Sequence, residues 1–109
     1  MPSPQLSNYL RSSRKRLALS QGEVAFLLGH GSSGQVSRYE RFEHMPSLET
    51  ALVYEVILKI PLSEIFGGMY QKAEREVAER AQVLASRIGK QNAVKCKLLA
   101  KLIALNNEK

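Results

Sequence analysis

Ser33, Gly34, Ser37 and Arg38 share the window SGQVSRYE with Val36, Tyr39 and Glu40, and the two sets alternate at helical spacing. Wound into a helix, the second set makes one face, and the first set makes another of hydroxyls, bare backbone and a guanidinium. Such a face suits a DNA major groove. A guanidinium bonds bidentately to guanine O6 and N7, at roughly 1–3 kcal/mol of discrimination, whereas a serine hydroxyl bonds almost any base. Other chemistry is poorly supplied. His30 and His44 stand alone, with no cysteine or carboxylate at ligand spacing, so no metal is expected. There is no HExxH, GxSxG or Gly-rich phosphate loop, and the turn GHGSSG follows no strand, so neither an enzyme nor a cofactor is expected.

Residues 19–48 read as two short helices joined by a glycine-rich turn. Ser20, Gln21, Gly22 and Glu23 form an S-x-x-E capping box, and Val24, Leu27 and Leu28 follow at helical spacing. Gly29, Gly31 and Gly34 around His30, Ser32 and Ser33 mark the turn, and the second helix should start at Ser32 or Ser33 and run to about Phe42. Upstream, Ser3-Pro4 is a helix start, with Leu6, Tyr9 or Leu10, and Leu17 on its buried side. Downstream, Ser47 caps a core helix carrying Leu48, Ala51, Leu52, Tyr54 or Glu55, Val56 and Leu58, with Glu49 in its positive first turn. Pro61 opens a fifth helix whose Leu62, Ile65 and Phe66 close the core, and Gly67-Gly68 should stop it.

Leu19-Ser20-Gln21, Leu28-Gly29, Val36-Ser37-Arg38-Tyr39-Glu40 and Pro46-Ser47-Leu48, in that order and spacing, resemble the lambda-repressor-like helix-turn-helix family, of the Cro and xenobiotic-response-element type, over residues 6–66. The resemblance implies an all-α, five-helix DNA-binding domain in which Ser33, Gly34 and Arg38 face bases, with Ser37 beside them. It also implies that Gln21 meets a phosphate, in keeping with the positive end of a helix dipole. Arg14 would pair with Glu40, a structural ion pair between the first and third helices. Arg11, Lys15, Ser32 and Arg41 complete the expected phosphate contacts. The chain departs from the family pattern in three places. The turn between Gly29 and Val36 is one residue longer, Phe42 stands where a helix-ending glycine is common, and Glu43 replaces a basic residue.

At 109 residues and 44% hydrophobic, the chain can build one modest core. We divide it into a DNA-binding domain, residues 1–67, and a helical extension of one or two helices, residues 68–109. Met69, Ala73, Val77, Ala81, Leu84 and Ile88 form a narrow apolar stripe on a long helix, Glu76 and Arg80 form an i, i+4 pair, and Gly89 ends the helix. Asn92 caps a last helix with Val94, Leu98, Leu102 and Leu105 on one face and Lys95, Lys97 and Lys101 on another. Such helices need a partner. Val77, Ala81, Leu84, Ile88, Leu98 and Leu102 are therefore the expected dimerisation residues, the alternatives being an internal hairpin or a protein partner.

Sixteen Lys and Arg against ten Asp and Glu give +6, which favours a polyanionic partner. Residues 1–45 contribute +3, residues 46–67 contribute −2 and residues 68–109 contribute +5. The single cysteine, Cys96, allows no intramolecular disulfide and fits a reducing compartment. No membrane-spanning or signal segment is read, so a cytoplasmic location is expected. These readings combine into a sequence-specific double-stranded DNA-binding regulator, a homodimeric repressor at a palindromic operator. Two rivals remain: an antitoxin-like or adaptor protein whose C-terminal helices bind a partner, and a nonspecific DNA-compacting protein.

Overall fold

The computed structural model describes residues 8–29, 32–90 and 92–107. The Ser3-Pro4 helix start, Leu6 and His30 lie outside the described residues. Among the described residues there are seven helices and no strand: α1 (Leu10–Arg16), α2 (Gln21–Leu28), α3 (Ser33–Glu40), α4 (Leu48–Leu58), α5 (Leu62–Ile65), α6 (Gly67–Ile88) and α7 (Ala93–Asn107). They fall into two units, residues 1–69 and 70–109. No helix among the described residues is long and apolar enough to cross a membrane.

Polar side chains satisfy the orphan N–H groups at most helix starts. Asn8 Oδ1 accepts from Leu10 N at 3.1 Å, and Asn8 Nδ2 donates to Tyr39 O at 3.1 Å, tying the start of α1 to the end of α3. At α2 the capping box is complete, with Glu23 N donating to Ser20 Oγ at 3.0 Å and Ser20 N to Glu23 Oε1 at 2.8 Å. Ser32 caps α3, Ser47 caps α4, and Asn92 accepts from Lys95 N at the start of α7.

The first unit encloses Leu10, Val24, Ala25, Val36, Tyr39, Ala51, Tyr54, Leu58, Ile65 and Phe66. Of the two residues offered for α1, Leu10 enters the core and Tyr9 stays exposed. Leu17 is exposed, contrary to its expected burial. It would share the face of Leu10 if the helix continued, but α1 ends at Arg16 and Ala18, at φ 61°, turns the chain away. On α4 the inward line is Ala51, Tyr54 and Leu58, while Leu48, Leu52 and Val56 are exposed. The helix is apolar nearly all round, so its sequence does not by itself select a face. The helix break falls at Phe66 (φ −110°, ψ 49°), and Gly67-Gly68, expected to stop α5, instead form the first turn of α6.

In the second unit the buried residues are Ala78 and Ala81 of α6 and Leu99 of α7. Ala81 belongs to the expected stripe and Ala78 adjoins it, while Val77 and Leu84 of that stripe are exposed. Alanines weigh little in a hydrophobic pattern, yet they permit the closest approach of backbones. Glu76 pairs with Lys72 at 2.8 Å, one helical turn in the opposite direction from the expected Arg80. The Lys72 hydrogen bond and charge, with a smaller pull from Arg80, hold the Glu76 carboxyl below its ordinary range. Gly89, at φ 65°, ends α6 as expected, and Cys96 Sγ lies 3.4 Å from its carbonyl oxygen.

Tyr54 fills the centre of the first unit, 1% exposed and edge-on to Tyr39 at 6.1 Å between ring centroids. Its hydroxyl is buried without a hydrogen-bond partner among the described residues. Burial above all, then the negative charge of Glu40, pushes the phenol well above its ordinary value. An unfolded tyrosine ionises near pH 10. The raised folded value therefore gives stability that is intact below pH 10 and drains away above it as the unfolded chain ionises. Tyr54→Phe should raise stability by about 1 kcal/mol, the cost of an unpaired buried hydroxyl. It should also flatten the alkaline loss, and urea unfolding at pH 7 and at pH 10.5 checks both.

Candidate nucleic-acid interface

α3 starts where Ser32, in extended conformation, turns its hydroxyl onto the backbone N–H of Gly34 at 3.0 Å. At about 100° per residue, Val36, Tyr39 and Glu40 point inward, and all three are buried. The opposite side carries Gly34, Arg38 and Arg41, flanked by Ser37 and Gln35. Ser33 and Arg38 are exposed, and Gly34 and Ser37 half-buried. A Cβ on Gly34 would sit 3.2 Å from Ser32 Oγ and 3.9 Å from Arg38 Nη1. The missing side chain keeps the cap undisturbed and leaves the backbone open beside the guanidinium.

The helix is held from behind by one carboxylate. Arg14 Nε donates to Glu40 Oε2 at 2.6 Å and Arg14 Nη2 to Oε1 at 3.2 Å, with both side chains nearly buried. The third fork position, Nη1, donates to Leu19 O at 2.9 Å and fixes the α1–α2 connection. Gln21 Nε2 adds a bond to Glu40 Oε1 at 3.1 Å. The Glu40 hydrogen bond raises the guanidinium's already high pKa, outweighing its desolvation. Gln21, expected at a phosphate, thus turns its amide nitrogen toward the ion pair from the first position of α2.

Arg11 and Lys15 stand exposed on α1. Ser32 is engaged as a cap. Arg41 forks onto Glu43, with Nε to Oε2 and Nη2 to Oε1 both at 3.0 Å, and its Nη1 donates to Ser37 Oγ. The pair raises the Arg41 pKa and holds the Glu43 carboxyl below its ordinary range, chiefly through the hydrogen bonds. Both groups lie in solvent, so the pair adds little to stability. It does orient the guanidinium beside Ser37.

Two residues that the sequence reading left without a role complete the surface. Arg38 Nη1 donates to Gln35 Oε1 at 3.1 Å, and Gln35 Nε2 lies 3.3 Å from Tyr39 Oη and 3.2 Å from His44 Nδ1. The i, i+3 spacing of Gln35 and Arg38 is visible in the sequence. The return of His44 is not. It follows from the end of α3 at Glu40, two residues short of the expected Phe42, where Phe42 adopts φ 65°. The backbone N–H groups of Glu43 and His44 then both reach Arg38 O, at 2.9 and 3.3 Å. Phenylalanine thus adopts the left-handed conformation that the family's glycine takes easily.

Two helices packed across a short turn, the second exposing a polar face with a guanidinium, define a helix-turn-helix DNA-binding domain. A family model described as Helix-turn-helix matches residues 10–65, and the chain belongs to that family, in its lambda-repressor-like form. No curated protein and no solved structure matches the chain. Its kind of function is that of a DNA-binding transcription regulator, in a family whose members are typically not enzymes. Among the described residues no group of three or more metal-ligating side chains comes together.

The Arg14–Glu40 pair gives a direct test of what holds α3 in place. Glu40→Ala should destabilise by about 3–5 kcal/mol, because it strands a buried guanidinium. The double variant Arg14→Met, Glu40→Leu should recover most of that loss, and chemical denaturation compares the two.

Proposed function

We propose that the protein is a sequence-specific double-stranded DNA-binding regulator that binds a palindromic operator as a homodimer and represses by occupying it. The observation that carries this reading is the outward face of α3. Arg38 is exposed there beside a glycine that leaves the backbone free to approach the groove, and the buried Glu40 bracket fixes the helix behind it. Ser33, Gly34, Ser37 and Arg38 are the base-reading set, and Gln21, Arg11, Lys15, Ser32 and Arg41 the phosphate set. Gln21 and Arg41 each hold an intramolecular bond that a phosphate would replace or share. The work is done in the cytoplasm, with a reduced Cys96.

The homodimer reading draws on the C-terminal helices. Val77, Leu84 and Leu98 are 40%, 44% and 54% exposed, an apolar surface open to a second copy. Ile88 and Leu102 are half-buried, and Ala81, at 4%, is already covered within the chain. A two-fold dimer would present two copies of α3 about one turn of DNA apart. From Tyr70 on, α6 and α7 form a unit of their own. The exposure of Val94 at the start of α7 equally suits a different protein partner, which is the adaptor reading.

Selection from a randomised duplex pool at near-physiological salt, with wild type and Arg38→Ala in parallel, tests the DNA reading. A two-fold symmetric site should be enriched, and the variant should relax one symmetric base position by about 1–3 kcal/mol. Enrichment of no site, with equal loss of all duplexes as salt rises, would sink sequence reading. Sedimentation of the double variant Leu84→Glu, Leu98→Glu tests the dimer. It should be monomeric and bind the full site on the order of 100-fold more weakly, with half-site affinity unchanged. A monomeric wild type that co-purifies with a stoichiometric second protein would favour the adaptor instead.

A further inference from the structure

We propose that Gln35 is the positioning residue that aims Arg38, and that a proton on His44 weakens that aim. The proposal deepens, and rests on, the reading of α3 as the DNA-reading helix. A guanidinium can only donate, so the Arg38 Nη1 contact at 3.1 Å requires the carbonyl oxygen of Gln35 on that side. The amide nitrogen is then turned toward Tyr39 Oη and His44 Nδ1, at 3.3 and 3.2 Å. An amide nitrogen also only donates. His44 Nδ1 must therefore accept, which puts the single ring proton of the neutral histidine on Nε2.

Protonation of His44 removes that acceptor. Nδ1–H would then confront N–H, and rotation of the Gln35 amide relieves the clash by bringing the oxygen to His44 and the nitrogen to Arg38. Two donors would then meet at Arg38, and the guanidinium is released. In the rotated state the amide no longer accepts from Arg38 Nη1, so a proton on His44 works against the aim of Arg38. The backbone holds the parts close. Glu43 N and His44 N both bond to Arg38 O, and Phe42 at φ 65° makes the reversal that brings them there.

The other charged and titratable groups near His44 leave this competition in place. On α3, Tyr39 lies 6.3 Å away between ring centroids and Arg38 is the group being aimed, while Arg41, just past the end of α3, is forked onto Glu43. The carboxylate of the adjoining Glu43 is engaged by Arg41. The hollow of about 220 Å³ beside His44 is otherwise lined by uncharged residues, among them Asn8, Met45, Phe66 and Met69.

The test has two arms, both on the full chain and both run from pH 7.5 to 5.5. Without DNA, NMR follows the Gln35 amide, the Arg38 guanidinium and the His44 ring. The first two should titrate together with the third, and should stop doing so in His44→Phe. With DNA, discrimination between the selected duplex and one altered at the base read by Arg38 should fall about threefold to tenfold as the pH drops, the scale of one hydrogen bond.

In His44→Phe that ratio should be flat with pH. Gln35→Glu can hold Arg38 at any pH but cannot donate to a neutral ring, so its ratio should be kept or improved at pH 5.5. A residue with only a structural role would not invert the profile. Arg38 signals that ignore the His44 titration, or the same pH profile in wild type and His44→Phe, would overturn the assignment. Discrimination absent at every pH would instead overturn the DNA reading beneath it.

Discussion

The carboxylate of Glu40 is the contact on which the recognition surface depends. It accepts from Arg14 on α1 and from Gln21 on α2 while belonging to α3, so one buried side chain sets three helices against each other. Apolar packing alone would leave α3 free to slide or roll by a fraction of a turn, since Val36 and Tyr39 fit many arrangements of similar burial. A forked, nearly buried ion pair tolerates few. Its net contribution to stability is small once desolvation is counted, and its use lies in geometry. With Leu19 O taking the third donor of Arg14, the same group also fixes the turn into α2.

What the sequence made legible follows from how local each signal is. Helix starts were readable because a cap is a matter of three or four adjacent residues, as at Ser20 with Glu23 and at Ser47 with Thr50. The faces of α3 were readable because its polar and apolar residues separate cleanly. α4 was not, since a helix apolar on every side leaves the choice of Ala51, Tyr54 and Leu58 over Leu48, Leu52 and Val56 to its neighbours. On α6 the expected stripe includes the buried Ala81 but not the buried Ala78, since a single alanine weighs little in a hydrophobic pattern. The His44 partner of Gln35 was out of reach, because it depends on a chain reversal at a phenylalanine, which ordinarily argues against one.

Backbone strain is concentrated at the ends of helices. Ala18, Phe42 and Lys59 all take positive φ without being glycine, and each follows a helix of the first unit. Left-handed conformation costs such residues on the order of 1–2 kcal/mol apiece. At Ala18 and Lys59 the outcome is a compact connection between packed helices. At Phe42 it is also a functional placement, since the reversal puts Glu43 beside Arg41 and His44 beside Gln35. A glycine there would make the same turn more easily and hold it less firmly.

Arg38 and Arg41, on the proposed DNA-facing side of α3, therefore meet a partner from their own chain first. Arg38 rests on Gln35, and Arg41 on Glu43 and Ser37. Binding must exchange these bonds rather than simply add new ones, so part of the gain at each arginine is offset by the contact given up. The offset differs with the ligand. A phosphate can displace Glu43 from Arg41 by charge alone, without regard to sequence. Gln35 is neutral and can keep hold of one edge of the Arg38 guanidinium while other donors face a base. On the proposed reading, affinity and selectivity rest on different neighbours: Glu43 restrains the general attraction to the backbone, and Gln35 limits the directions in which Arg38 can read.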